Sequence, residues 1–182
     1  YGFHSLIGKS AAVRSIIELF EKLITTDPKT ILISGESGTG KGLAAKVLHH
    51  NGVRAEKPII ELNCAAIPET LLESELFGHE AGSFTDAKKM KTGILEDANG
   101  GTIFLDEIGD MSPSLQAKLV KAVEERTFRR IGGKRDIKVD VRIVAATNRD
   151  LKDLVEKNLF REDLYHRLNV INFEMPSLRE RR

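Results

Sequence analysis

The chain has 182 residues, 41% of them hydrophobic, which is enough for one sizeable core and short of a second globular domain. Its 28 basic residues nearly cancel its 27 acidic ones, so bulk charge gives no reason to propose a nucleic acid or an anionic membrane as partner. The single cysteine, Cys64, excludes an internal disulfide, and with no matching Cys/His cluster it is expected to fill the core of a protein from a reducing compartment.

Val13, Ile16, Ile17, Phe20, Leu23 and Ile24 recur at helical spacing after Ser10, a good N-cap, and predict an amphipathic helix closed near Asp27-Pro28. Thr30-Ile31-Leu32-Ile33-Ser34 is a short apolar run rich in β-branched residues, as in a strand buried on both faces of a parallel sheet. A glycine-rich turn follows at once, and Leu43, Val47 and nearby alanines predict the next helix, ending near Asn51-Gly52 as a left-handed C-cap. Strands are then expected at 58–62, 102–105, 141–146 and 170–173, alternating with helices at 69–77, 114–125, 151–155 and 162–168. Repeated βα units imply an α/β fold with a mainly parallel sheet and helices on both faces. Two stretches rich in glycine and charge, 78–91 and 129–138, interrupt the pattern; loops that long are usually functional or disordered. No apolar run approaches the roughly 20 residues that cross a bilayer and no signal segment opens the chain, so a soluble, cytoplasmic protein is expected. The start at Tyr1 and the close at Arg179-Glu180-Arg181-Arg182, in mid-pattern, suggest an excised fragment.

Gly35-Glu36-Ser37-Gly38-Thr39-Gly40-Lys41 has the form of a P-loop. A glycine-rich turn opening a helix aims backbone N–H groups into one concavity, where the helix dipole also favours negative charge. Lys41 supplies a point charge for terminal phosphates. Gly42 stands where the general motif has Ser or Thr, so no side-chain oxygen there can ligate magnesium. Gly100-Gly101-Thr102-Ile103-Phe104-Leu105-Asp106-Glu107 is an apolar strand ending in two acids, the form of a Walker B motif. Asp106 is the candidate holder of Mg²⁺ through water, and Glu107 the candidate that polarises the attacking water. Asn148, after the apolar run Val144-Ala145-Ala146-Thr147, is either a γ-phosphate sensor or a cap for the helix at Leu151. Arg161 and Arg167 flank a short helical pattern; in isolation they are surface charges, and the functional alternative is that one or both are arginine fingers for a neighbouring subunit.

Taken together these motifs resemble the central AAA+ domain of bacterial enhancer-binding proteins, the ATPases that activate sigma-54 RNA polymerase. The likeness runs from Leu6-Ile7-Gly8-Lys9-Ser10 through Asn63-Cys64-Ala65-Ala66 and Glu75-Leu76-Phe77-Gly78-His79-Glu80 to Phe160–Leu168 and Pro176–Arg182. It implies a three-layer P-loop NTPase core with a five-stranded sheet across residues 1–182, a helical lid beyond them, and ATP with Mg²⁺ held between subunits of a homo-oligomer, usually a hexameric ring. It also implies that Leu6 and Ile7 lie by the adenine, that Asn63 pairs with Glu107, and that Arg161 and Arg167 act in trans. Gly82-Ser83-Phe84-Thr85-Asp86-Ala87 falls at the family's GAFTGA signature, the tip that contacts sigma-54; Ser83 and Asp86 depart from it. The segment 129–138 matches a second loop that moves with the first, and DNA contact is expected only through a domain absent from this chain. The competing expectations are an ATP-binding oligomerisation module that no longer acts on sigma-54, and an ATPase that remodels another substrate.

Overall fold

The computed structural model describes residues 1–6 and 10–180. Five strands, β1 (Thr30–Ser34), β2 (Ile59–Asn63), β5 (Thr102–Asp106), β8 (Arg142–Thr147) and β9 (Asn172–Glu174), form one parallel sheet in the order β2-β5-β8-β1-β9. The helices are α1 (Ala11–Ile24), α2 (Lys41–His50), α3 (Glu69–Phe77), α4 (Ile94–Asp97), α5 (Pro113–Glu125), α6 (Leu151–Glu156) and α7 (Glu162–Leu168). Two hairpins stand apart from the sheet: β3 (Gly78–His79) with β4 (Lys91–Thr92), and β6 (Thr127–Phe128) with β7 (Ile137–Lys138).

The apolar runs of the central strands conceal a period of two, because alternate residues feed two different cores. Ile31, Ile33, Phe104, Val144 and Ala146 join Phe20 of α1 and Ala44 and Leu48 of α2 in one cluster. Leu32, Ile103, Leu105, Ile143 and Ala145 join Leu72 of α3, Leu119 of α5, Leu154 of α6 and Leu164 of α7 in the other. The result is a three-layer α/β sandwich. The chain leaves β1 toward β2 at the far edge and later returns to β9 on its other side, so the order of strands reverses at β1. Open α/β sheets bind ligands at such a point, beyond the carboxyl ends of the strands.

The ordered departures from the expected elements have local causes. The last strand begins at Asn172 rather than Val170, because its pairing to β1 starts at Leu32↔Asn172 and Val170 is 72% exposed. α2 ends without a left-handed cap: Asn51 has φ −105, and its side-chain amide donates to Val47 O at 2.8 Å instead. Gly52 is required for space, since a Cβ there would lie 2.8 Å from Leu48 O. α1 and α5 start as their caps dictate, with Ser10 Oγ accepting from Val13 N and Ser112 Oγ from Leu115 N.

At the amino ends of the strands a buried arginine ties three segments together. Arg54 Nε and Nη2 each donate to Asp27 at 2.7 Å, and Nη1 donates to Gly101 O at 3.1 Å and Asp140 O at 3.0 Å. Above all through the Arg54 hydrogen bonds, and with help from Lys29, the Asp27 carboxyl is held well below the usual carboxylate range despite the opposing cost of burial. No described helix is long and apolar enough to cross a membrane.

Candidate functional site

The strand register brings the expected residues to one level at one end of the sheet. Ser34, the last residue of β1, pairs with Thr147, the last of β8, and Asn63 at the end of β2 pairs with Asp106 at the end of β5. β5 and β8 pair up to Leu105↔Ala145, so Asp106-Glu107 and Thr147-Asn148 leave the sheet side by side. The glycine-rich loop leaves β1 one strand further along. With strands roughly 4.8 Å apart, the loop and the two acids are about 10 Å from each other.

Gly35, Gly38 and Gly40 all have positive φ, at 143, 77 and 87 degrees, so the loop is built on conformations that other residues rarely adopt. Gly35 is also tight for a side chain, since a Cβ would sit 3.0 Å from Met175 O. Thr39 Oγ1 donates to Glu36 O at 2.8 Å, and the buried Lys41 folds beneath the loop to donate to Gly35 O and Glu36 O, both at 2.8 Å. Glu36, Ser37 and Gly38 are exposed at the rim. Gly42 packs beside Phe104, but a Cβ would come only to an ordinary 3.4 Å of that ring, so sterics do not force the missing hydroxyl. Leu6 is buried in the α1–α2 cluster, whereas Ile7 lies outside the described residues.

Glu107 is one of three described non-glycine residues with positive φ, at 53 degrees, and its buried Oε2 has no hydrogen-bond partner. A left-handed backbone and an unpaired buried carboxylate oxygen are features that cluster at functional sites. Asp106 Oδ1 accepts from Glu107 N at 3.0 Å. Among the described residues no group of three His, Cys, Asp or Glu side chains could hold a metal by itself. One carboxylate from Asp106, completed by phosphate oxygens and water, nevertheless suits Mg²⁺, which keeps much of its hydration. Asn63 Oδ1 accepts from Ala65 N at 2.9 Å, and no Asn63–Glu107 hydrogen bond is present among the described residues, so the pairing implied by the resemblance is not made in this conformation. Cys64 lies between these elements with its thiol pushed up to about 12 by burial, then by the charges of Asp106, Asp110 and Glu107; it is an inert core thiol.

Asn148 is exposed, and it lines a cleft of about 430 Å³ with Gly35, Glu36 and Glu174. The capping alternative for Asn148 falls away, because Asp150 caps α6 through a 3.2 Å bond from Asp153 N. Arg161 and Arg167 are both exposed on α7 and its N-cap. Arg161 makes a bidentate pair with Asp163 at 3.0 and 2.9 Å, and Arg167 donates to Glu124 at 3.0 Å.

The first interrupting stretch is an ordered projection. Gly82 N donates to Ala87 O at 2.6 Å, closing a compact turn with Ala87 buried beneath and Phe84 43% exposed. Phe84 leans edge-on against His79 at 4.9 Å between ring centres, and His79 Nε2 donates to Lys89 O at 3.0 Å. Asp86 is exposed without a positive φ, so this backbone does not need the flexibility that glycine would give at that position. Ser83 faces Gly132 of the second stretch, where a Cβ would lie 2.7 Å from Ser83 Cβ. Backbone bonds from Glu80 N to Ile131 O and from Ile131 N to Gly78 O join the two projections, and Arg130 pairs with both Glu80 and Glu96.

The family model described as the sigma-54 interaction domain matches residues 6–174. The chain belongs to this family. It is 54% identical over 177 residues to nitrogen fixation protein AnfA of Azotobacter vinelandii, covering 97% of this chain and 33% of that protein. It is 58% identical over 159 residues to regulatory protein AtoC of Escherichia coli K12, covering 87% of this chain and 34% of the relative. The chain thus spans about a third of the length of these relatives. Among solved structures it is similar to NtrX from Brucella abortus in complex with ATP, with a TM-score of 0.88 and 38% identity over 97% of this chain and 39% of that one. A P-loop NTPase domain of an Escherichia coli sigma-54 activator, 19% identical with a TM-score of 0.62 over 94% of this chain and 99% of that one, shares the fold.

The sequence motifs include Asn63, Asp106 and Thr147 at the ends of β2, β5 and β8, but not Glu174, which ends β9 and lines the Asn148 cleft. They also missed three side chains that tie segments together: Arg54 at the amino ends of the strands, Arg130 between the projections, and Arg149 beside Asn148. Each is an arginine in a charged segment, and its partner is distant in sequence (Asp27, Glu96 and Asp110 respectively), so no local spacing marks the pair.

Proposed function

We propose that this chain is the ATP-hydrolysing α/β core of a sigma-54-dependent transcriptional activator, residues 1–182 forming the subdomain to which a helical lid is joined. The observation that carries this is the alignment of Gly35–Lys41, Asp106-Glu107 and Asn148 on adjacent strand ends, with Glu107 strained and holding an unpaired oxygen beside the phosphate cradle.

The backbone N–H groups of Gly35–Gly40 and the Lys41 ammonium bind the β- and γ-phosphates of ATP, with Leu6 and Ile7 beside the base. Asp106 would hold Mg²⁺, which when bound would neutralise phosphate charge. Glu107 orients water in line with the γ-phosphorus and draws off its proton, Asn63 restrains that carboxylate in some states, and Asn148 senses the γ-phosphate. Arg161 and Arg167 stabilise transition-state charge at the nucleotide of the next copy in a homo-oligomeric, hexameric ring. Support for action in trans is the position of Arg167 at the start of β1, away from its own loop.

Hydrolysis moves the projection carrying Gly82, Ser83, Phe84, Thr85, Asp86 and Ala87, which engages sigma-54 in promoter-bound polymerase. DNA is contacted through another domain, no membrane is involved, and the protein acts in the cytoplasm. NtrX with ATP, the similar protein noted earlier, supports the choice of nucleotide. The test is sigma-54-dependent transcription beside an ATPase assay, at the protein's full natural length. Turnover of ATP together with promoter opening is expected; turnover without promoter opening defeats the sigma-54 role.

A further inference from the structure

Asn148 and Glu107 leave adjacent strands, and one ion pair links the segments they open. Arg149, the residue after Asn148, reaches back so that Nη1 lies 3.1 Å from Asp110 Oδ1 and 3.4 Å from Gly109 O. Asp110 closes the single helical turn that begins at Glu107, and its N–H donates to Glu107 O at 3.0 Å. The turn lies close against β8: a Cβ on Gly109 would come to a tight 3.3 Å from Thr147 Oγ1 and 3.4 Å from Arg149 Cδ. Thr147 Oγ1 in turn accepts from Arg149 N at 3.0 Å, which fixes the direction in which the chain leaves the strand. These contacts form a continuous path from the Asn148–Arg149 backbone through the Arg149 side chain and Asp110 to the carbonyl of Glu107.

We propose that Arg149 and Asp110 are positioning residues that hold Glu107 in its left-handed conformation and carry movement of Asn148 to it. The proposal rests on Glu107 and Asn148 serving the ATPase site described under Proposed function. Neither residue touches the reacting atoms. Both side chains are about 40% exposed, at 41% and 38%, and an exposed ion pair contributes little to folding. Its removal should therefore be visible in turnover and invisible in stability, which separates positioning from a merely structural role.

The experiment is steady-state ATP hydrolysis, at full natural length, by the unaltered protein, Arg149→Ala, Asp110→Asn, the double variant and Arg149→Lys, with the melting temperature of each. Each single variant should lower kcat about tenfold while KM for ATP changes less than about twofold. The double variant should be no slower than the worse single one, Arg149→Lys should recover most of kcat, and the melting temperatures should stay together. Single variants with normal kcat overturn the proposal, as do losses that multiply in the double variant or that follow the melting temperature. An unaltered protein that does not hydrolyse ATP defeats the ATPase site itself, a result distinguishable from all of these.

Discussion

The hydroxyl of Thr30 donates to the carbonyl of Arg167 at 2.9 Å, which fixes Arg167 at the opposite end of β1 from the glycine-rich loop. Four residue steps of about 3.3 Å separate Thr30 from Ser34, roughly 13 Å before the loop begins. The Arg167 side chain, which starts from that backbone and pairs with Glu124, is badly placed for its own phosphate cradle. Arg161→Ala and Arg167→Ala should each lower kcat by about 1,000-fold, as expected of an arginine finger. Mixing either with Lys41→Ala subunits should restore part of the activity, because one copy then supplies the arginine and the other the lysine. Mixtures that stay inactive at every ratio contradict action in trans.

Phe84 has an exposed ring and a restrained base. His79 and the Gly82–Ala87 closure hold the turn, so removing the ring should leave the scaffold and the distant ATP site intact. Phe84→Ala is expected to keep its ATPase rate and to weaken sigma-54 engagement by about 30-fold, the loss of roughly one aromatic hot spot. Native promoter opening by this variant would remove the projection from the account.

The foundation of the sheet should respond to acid through Asp27. Its folded pKa is depressed, chiefly by the Arg54 hydrogen bonds, so the stability it adds is complete above the unfolded carboxylate pKa and is lost as pH falls toward the folded value. Urea midpoints measured downward from about pH 5 should begin to fall near pH 4 and keep falling below it. Asp27→Asn should flatten that part of the profile and cost about 3 kcal/mol at neutral pH, by leaving the buried guanidinium underpaired. An unchanged acid profile in Asp27→Asn would show that other carboxylates set the acid limit.

Much of this molecule was legible in its residues because local chemistry and tertiary role agree at the strand ends. Gly35, Gly38 and Gly40 are glycines because the loop needs positive φ, and the apolar runs at Ile31 and Ile103 are buried on both faces because helices cover both. Legibility fails where partners are remote. Nothing near Val170 shows that strand pairing waits until Asn172, and Asn51-Gly52 has the form of a left-handed cap although Leu48 O sets its glycine. The segments 78–91 and 129–138 lack periodicity, so the short hairpins and the Ile131 bonds that order them emerge only when both are in place. The same holds for Arg149 and Asp110, 39 residues apart in sequence.

The central claim is that Glu107 works on water after ATP is bound. Glu107→Gln keeps the shape and removes the charge, so ATP affinity and turnover measured on that one variant separate the two roles. Binding should stay within about threefold of the unaltered protein while kcat falls by about 100-fold or more. Undiminished turnover in Glu107→Gln would contradict the assignment at its core.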